Sequence, residues 1–404
     1  MGGTEFIIRD ICERLVAKHG VDVTVFTTNA YTNENFRTRR LPTVPIRSGE
    51  VQNGVRVTRF PVVTRYAKPL RVLQKLFYTF RLPGHDWLRT WYQGPISPEM
   101  LRATSNATAD VICAASFPLN HMLYPFRRSP PRPPVILYSA VHTNDAWGYR
   151  RRNLMKAVGE SYATVAFTEH ERDWMARNGA DASRIRIIPL GVDPTGLVAR
   201  PGSFRTQHGI PADDYVVAYV GQQGGHKGIE VLIAVLPALL EKTPNARLVV
   251  GGARTPYSAT LRGLEARLPK AVADRLLILD DLDPQAKADL LADCDVFASP
   301  SGYESFGITT LEAWSQKKPV ILGDTPVQRE IVGNTETGIL VPYRDKPKLL
   351  QALLRLAASP PLRHSMGIFG HARLLEKYTL DRTVDDFHSL FAEAVNAGRV
   401  ASSD

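Results

Sequence analysis

The chain has 404 residues, 44% of them hydrophobic and 22% charged, enough for two domains of roughly 150–200 residues with a core each. No apolar run reaches membrane-spanning length and no charged-then-apolar leader opens the sequence, so the chain is read as cytoplasmic. Three widely spaced cysteines (Cys12, Cys113, Cys294) form no C-x-x-C motif, which argues against a disulfide framework or a zinc site and makes each a small core residue.

The formal net charge of +10 is unevenly placed. Residues 37–132 hold 16 Lys/Arg against 4 Asp/Glu, and the remainder is close to neutral. Such a block suits an anionic partner: a membrane surface, a lipid-phosphate acceptor or nucleic acid. A solvated basic face is the plainer alternative, and no nucleic-acid motif accompanies the block.

In chain order, Met1-Gly2-Gly3-Thr4-Glu5 leads into FIIRDICERLVAKHG, whose apolar residues recur at helical spacing up to Gly20, and VDVTVFTT (21–28) is a strand. A loop-rich basic stretch follows, with a strand at 55–60. Then KPLRVLQKLFYTFRLPGHDWLRTWYQG puts Leu70, Leu73, Leu76, Phe77 and Phe80 on one helical face, with Lys68, Arg71, Lys75 and Arg81 among them and Trp87 and Trp91 beyond. This reads either as a helix lying in a membrane interface or as a core-facing helix with a basic outer side.

ADVICAAS (109–116) and PVILYSAVH (134–142) read as buried parallel strands, the second ending at His142. A lone histidine is usually structural. In 164–193 a strand, a helix capped near Thr168 and a further strand precede the Gly/Pro-rich hinge 194–211. YVVAYVGQQGGHKGIEVLIAVLPALL then gives a strand ending at Gly221, a glycine-rich turn and an apolar helix from about Ile229. This is a phosphate cradle in which glycines permit close backbone approach and Lys227 supplies charge. It lacks the G-x-x-x-x-G-K-[ST] spacing of a nucleotide triphosphatase loop. ARLVVGGAR (246–254) and RLLILDDLD (275–283) are the next strands, and Asp281-Leu282-Asp283 is formally D-x-D.

Cys294-Asp295-Val296-Phe297-Ala298 is a short buried strand, broken by SPSGYESFG, after which a helix starts at Ile308. The amides of Phe306, Gly307 and Ile308 at that helix start suit a phosphate or sugar oxygen. Glu304 and Glu312 bracket the turn, and carboxylates accept hydrogen bonds from paired sugar or ribose hydroxyls. Two glutamates eight apart are common. Taken alone, the pair reads as well as a helix N-terminal acid plus a solvated glutamate.

Embedded in SPSGYESFGITTLEAW and followed by KKPVILGD, however, Glu304-x7-Glu312 resembles the signature of retaining glycosyltransferases of family 4, and TGILVPYRD resembles another of their motifs. The resemblance runs over most of residues 160–345. It implies an α/β GT-B fold: two Rossmann-like, doubly wound parallel-sheet domains, here 1–193 on the acceptor side and 194–378 for the nucleotide sugar, with 379–404 as a helix crossing back.

By the same resemblance a nucleotide-diphosphate sugar is the donor, the acceptor is a glycan or lipid-linked molecule, the anomeric configuration is retained, and no metal or other cofactor is obligatory. His142 would orient the sugar, and Lys227 with the Phe306–Ile308 amides would stabilise the diphosphate. Glu304 would hold sugar hydroxyls and Glu312 the ribose. Gly2, Gly3, Gly221, Gln222 and Gly251 would line the donor site. The D-x-D falls in a loop that such enzymes place near the base, which argues against a metal there.

The sequence departs from the family pattern twice. Gln222 stands where an arginine is expected beside the diphosphate, and the strand that normally precedes the first Gly-Gly is missing, which would leave two neighbouring strands with unpaired edges. A late start is the favoured explanation, a truncated copy the other. Three rival functions therefore stay open: a nucleotide-sugar-binding copy of weak or no activity, a sugar-nucleotide epimerase on the same fold, and a nucleic-acid-binding module, which only the charge block suggests. A peripheral position on the cytoplasmic membrane face, through residues 37–132, is a further expectation.

Overall fold

The computed structural model describes residues 3–47, 49–128 and 132–401. They fall into two compact units: residues up to Pro189 together with those from Thr383 onward, and Leu190–Arg382.

The second unit is built on six strands: β8 (Tyr215–Val220), β9 (Ala246–Gly252), β10 (Leu276–Asp280), β11 (Val296–Ser299), β12 (Val320–Gly323) and β13 (Ile339–Val341). They pair all parallel in the order β10-β9-β8-β11-β12-β13. Every residue of β8, β11 and β12 is buried, as their unbroken apolar runs require of strands covered on both faces. The helices Ile229–Lys242 and Lys346–Ala358 pack Leu232, Leu236, Leu349 and Leu353 into that core. The chain starts at β8, winds outward through β9 and β10, then returns to β11 beside β8 and winds the other way. Neighbouring β8 and β11 therefore send their following loops in opposite directions, and a crevice opens between them at the carboxyl edge.

The first unit has no single sheet among the described residues, in line with the unpaired strand edges expected. Its strands form two: β1 (Thr24–Thr28), β3 (Val55–Phe60) and β2 (Glu50–Gln52) in the order β1-β3-β2, and β4 (Ile112–Ala114), β5 (Val135–Tyr138), β6 (Ala163–Ala166) and β7 (Ile185–Ile187) in sequence. Among the described residues β1 has β3 as its single strand neighbour and β4 has β5. While β5 and β6 are wholly buried, β1 has no buried residue and β4 exposes its central Cys113. This corrects the expectation for the cysteines: Cys294 is buried, Cys12 is half-buried and Cys113 is exposed.

Helices complete this unit. The helix α1 (Gly3–His19) is pinned to the C-terminal helix Leu380–Ala401: Lys18 donates to Asp385 at 2.8 Å, and the His19 ring stacks on His388 at 4.0 Å. Tyr138 at the end of β5 stacks on Phe387 of the same helix at 5.8 Å. Two further helices, α2 (Ala67–Thr79) and α3 (His85–Gln93), lie side by side, and α4 (Pro98–Ser105) follows. A buried polar knot fixes α3: Asp86 accepts from Arg89 at 2.5 Å and from the Arg152 amide at 2.9 Å, and buried Arg151 donates to Thr90 at 2.9 Å. Burial, and then the like charge of Arg89, push Arg151 down to about 9.

His121, in the short helical turn Asn120–Leu123, is pushed down to about 4 by burial, against a weaker opposing hydrogen bond to Ala115. Its folded pKa lies below the unfolded value near 6.5, so the unfolded chain takes up the proton first as pH falls. Stability present above pH 6.5 is then lost on the way to pH 4, by roughly 3 kcal/mol from this group. Urea unfolding at pH 7.5 and pH 4 is expected to show a drop smaller by about that amount in His121→Gln than in the parent chain.

Candidate active site

The loops leaving β8 and β11 meet with almost no room for side chains. After β8 the backbone runs through Gly221, whose amide donates to the Gly251 carbonyl at 3.0 Å. A Cβ on Gly252 would lie 1.9 Å from the Gly221 carbonyl oxygen. The turn ends at Gly228, which has φ +72° and precedes the helix Ile229–Lys242; a Cβ there would sit 2.3 Å from the Pro300 carbonyl in the loop after β11. The Gly302 amide donates to the His226 carbonyl at 2.8 Å, and the His226 ring stacks on Tyr303 at 4.3 Å. Tyr343 closes the group, its hydroxyl donating to Gly225 O at 3.2 Å.

This fit sets Lys227 against Glu304. The lysine Nζ donates to both carboxylate oxygens, at 2.7 and 2.8 Å, with the two side chains 17% and 14% exposed. Buried Ser301 donates to the same carboxylate at 2.9 Å and shares a 3.1 Å hydrogen bond with Ser299. The two charges read separately from the sequence are thus direct partners. An anion arriving here shares Lys227 with Glu304, and a hydroxyl donor finds a carboxylate already fixed in place.

The helix Ile308–Ser315 starts at Gly307, whose φ of +94° favours glycine; a Cβ there would lie 2.4 Å from the Gln328 side-chain amide. Gln328 donates to the Phe306 carbonyl at 3.3 Å, while the Phe306 ring is buried against the edge of Tyr378. At this helix start the backbone amides of Gly307 and Ile308 face outward from the first turn, where an anion is favoured. One turn on, Glu312 accepts from Lys287 at 2.6 Å through one oxygen. Its other oxygen is sealed from solvent and has no hydrogen-bond partner among the described residues.

Gln222 is exposed, and its carbonyl accepts from the Tyr219 hydroxyl at 2.8 Å. Burial, and secondarily the nearby Glu304 charge, push that phenol well up, so it stays a donor. The neighbouring Gln223 was not singled out by the sequence, yet it is fully buried and its amide donates to Asp280 at 2.9 Å, tying the turn to the end of β10. Nothing in a Gln-Gln pair distinguishes the two. Gly251 is a packing residue, since a Cβ there would lie 2.2 Å from Leu282. Asp281 accepts from the Arg254 amide and Asp283 caps the helix Pro284–Asp293 by accepting from Ala286, both at 2.9 Å, so each formal D-x-D carboxylate serves its own loop.

In the first unit, His142 lies in the loop after β5, its ring edge-on to Tyr149 at 5.6 Å and its carbonyl accepting from the Asp145 amide at 2.9 Å. Its position is set by a residue that no motif in the sequence marks as functional. Glu171, 2% exposed, accepts from the Val141 amide at 2.5 Å, from Ser139 Oγ at 2.9 Å and from the Phe167 amide at 2.6 Å. One carboxylate therefore clamps the ends of β5 and β6. The available signal was Thr168-x-x-Glu171, a capping-box spacing, and Thr168 indeed caps the helix Glu169–Arg177. Gly3 is the first residue of α1, and Gly2 lies outside the described residues.

Comparison with known proteins gives a consistent picture. Residues 2–191 match the family described as glycosyl transferase 4-like domain, and residues 202–373 match the glycosyl transferases group 1. A D-inositol 3-phosphate glycosyltransferase of Saccharomonospora viridis is 33% identical over 262 residues, 60% of this chain and 58% of that protein. One from Actinosynnema mirum is 32% identical over 256 residues, again 59% of each. The chain thus spans under two thirds of the length of the curated relatives it matches. Among solved structures, sucrose-phosphate synthase from Thermosynechococcus elongatus superimposes with a TM-score of 0.72 at 21% identity, covering 98% of this chain and 94% of that one. Anabaena HepE in complex with UDP-glucose gives 0.67 at 16% identity, covering 98% and 96%. At these identities the likeness is one of fold, the GT-B arrangement.

Gly228→Ala places a methyl group against the Pro300 carbonyl and forces a left-handed backbone on alanine, at a cost of about 1–3 kcal/mol. Thermal unfolding is expected to show that loss. The same substitution at Gly263, where nothing lies within 4 Å of the added Cβ, should be neutral or stabilising.

Proposed function

Because the chain belongs to the glycosyltransferases of GT-B fold, its halves matching the 4-like and group 1 families, we propose that it moves a sugar from a nucleoside diphosphate to a hydroxyl acceptor with retention of anomeric configuration. The observation that carries this reading is the Lys227–Glu304 pair beside the Gly307 helix start, at the carboxyl edge of the β8–β11 crevice. The bond from the anomeric carbon to the diphosphate oxygen breaks, a bond to the acceptor oxygen forms, and the acceptor's proton leaves. Charge gathers on the departing diphosphate, so the largest catalytic contribution is fixed positive charge and amide donors at that point.

Lys227 and the Gly307 and Ile308 amides supply those donors, with Gly221 and the Phe306 amide completing the cradle. Glu304 holds sugar hydroxyls, and Glu312 accepts from the ribose. His142, held through Val141 by Glu171, orients the sugar. Gln222 contributes neutral donors where an arginine would bring a forked, charged contact. The chain's relatives act on D-inositol 3-phosphate, as their name states, and HepE has been seen with UDP-glucose. A uridine donor and a glycan or lipid-linked acceptor are the first to test. Among the described residues no helix is long and apolar enough to cross a membrane, and the basic block 37–132 favours peripheral contact with an anionic bilayer.

Gln222 favours one second reading, a copy that binds nucleotide sugar and transfers poorly.

Nucleoside diphosphate release from UDP-, GDP- and ADP-sugars tests the proposal. Lys227→Ala and Glu304→Ala are expected to lose about 100-fold or more, the size of a missing transition-state donor, and the product's anomeric proton coupling should match the donor's. Silence of the parent chain with nucleotide binding intact would select the second reading, and Gln222→Arg should then restore release. An altered nucleotide sugar formed without acceptor would instead identify an epimerase.

A further inference from the structure

The first unit carries an apolar surface that its core does not use. The stretch 66–91 supplies eight of the exposed large hydrophobic side chains among the described residues, led by Val72 at 67% and Phe80 at 66% exposure. Along α2 and its C-terminal cap the spacing 72, 76, 80 places Val72, Leu76 and Phe80 in one outward stripe. Lys68, Arg71 and Lys75 flank that stripe on one side. The one buried residue of α2 is polar Gln74, which donates to its own helix at Arg71 O, 3.2 Å away. On the opposite face Leu70, Leu73 and Phe77 line the space beneath the helix, so the outward stripe is the apolar part of α2 that the protein itself leaves uncovered.

Beneath α2 runs a trench in two joined parts of about 600 and 450 Å³, with Leu73, Trp91 and Arg127 lining both. Its polar side chains are already committed. Tyr124 donates to Pro95 O at 3.1 Å, Asn120 donates to the same carbonyl at 3.0 Å, and Ser97 accepts from the Met100 amide at 3.4 Å. What remains is hydrocarbon: Leu70, Leu73, Phe77, Trp91, Leu101 and their neighbours. Arg127, exposed and poised 4.7 Å over the Trp87 ring, is the one charged group along either part of the trench among the described residues. A hydrocarbon chain with an anionic head matches both features, and the surrounding excess of positive charge matches a surface of many such heads.

We propose that α2 docks in an anionic bilayer, with Val72, Leu76 and Phe80 immersed and one lipid hydrocarbon chain seated in the trench, its phosphate at Arg127. This rests on the peripheral-contact reading above and adds insertion to what charge alone would give.

The test uses the full chain with vesicles of phosphatidylglycerol and phosphatidylcholine, some carrying brominated acyl chains. Flotation at 150 mM salt is expected with anionic vesicles, and Leu76→Glu with Phe80→Glu should weaken it at least tenfold. Both side chains are exposed, so folding, checked by circular dichroism, should not suffer. Brominated chains should quench tryptophan fluorescence, and the quenching should fall in Trp91→Phe. Anionic-vesicle binding that salt abolishes, that the double variant leaves intact and that gives no quenching would overturn insertion while leaving electrostatic contact standing. Quenching unchanged in Trp91→Phe would overturn the trench as the lipid seat. Absence of any vesicle binding would overturn both the insertion and the contact it rests on.

Discussion

The second unit depends on backbone passing backbone at less than side-chain distance. With β8 and β11 adjacent in a parallel sheet, their following loops must share one crevice. The chain admits this by omitting Cβ atoms where they would collide: Gly228 against Pro300, Gly252 against Gly221, and Gly323 against the Ser301 carbonyl, which a Cβ would approach to 1.9 Å. These contacts leave the loops little freedom to slide. Lys227 and Glu304 come from segments 77 residues apart, and their meeting follows from that fit. The salt bridge itself is a consequence of the packing. At 17% and 14% exposure it is too shielded to be a solvated surface pair, and its geometry is supported by Ser301 and Ser299 behind the carboxylate.

A pre-formed ion pair in such a crevice has a chemical consequence. Lys227 is held in place before any ligand arrives, so little reorganisation accompanies anion binding. The cost is that Glu304 competes for the same ammonium. An arginine at position 222 would add a second fixed cation and leave the pair less decisive; glutamine concentrates the burden on Lys227. The glycine turn, the helix start at Gly307 and this pair form one electrostatic unit, and Gln222 marks where it is weakest.

What could be read in the sequence was what local pattern encodes. The parallel strands of the second unit are unbroken apolar runs between glycine turns, and the Gly221 and Gly307 joints carry their own turn chemistry. The partnership of Lys227 with Glu304 could not be read, because side-chain pairing across long separations leaves no periodic trace. Glu171 was hidden differently: its spacing from Thr168 suggested a helix cap, a local role that is fulfilled, while its clamp on Ser139 and Val141 reaches across about 30 residues. For α2 the apolar stripe was plain, but amphipathicity states only that a face wants covering. It does not say whether protein or lipid covers it.

The first unit shows how much a parallel sheet owes to its middle. Among the described residues, the strands β1 and β4 each present an edge of backbone groups without a strand neighbour, and such groups depend on water or side chains for hydrogen bonds. Both strands are correspondingly less buried than β5 and β6. The unit compensates with helices: α1 is tied to the C-terminal helix by Asp385, which accepts from Lys18 and pairs with His19, and that helix reaches β5 through Phe387 and Tyr138. Burial is restored at β5 and β6, where Glu171 holds the loop bearing His142, and not at β1 and β4. The wholly buried strands of this unit are therefore those beside His142, while β4 and the exposed α2 face lie in the stretch where positive charge accumulates.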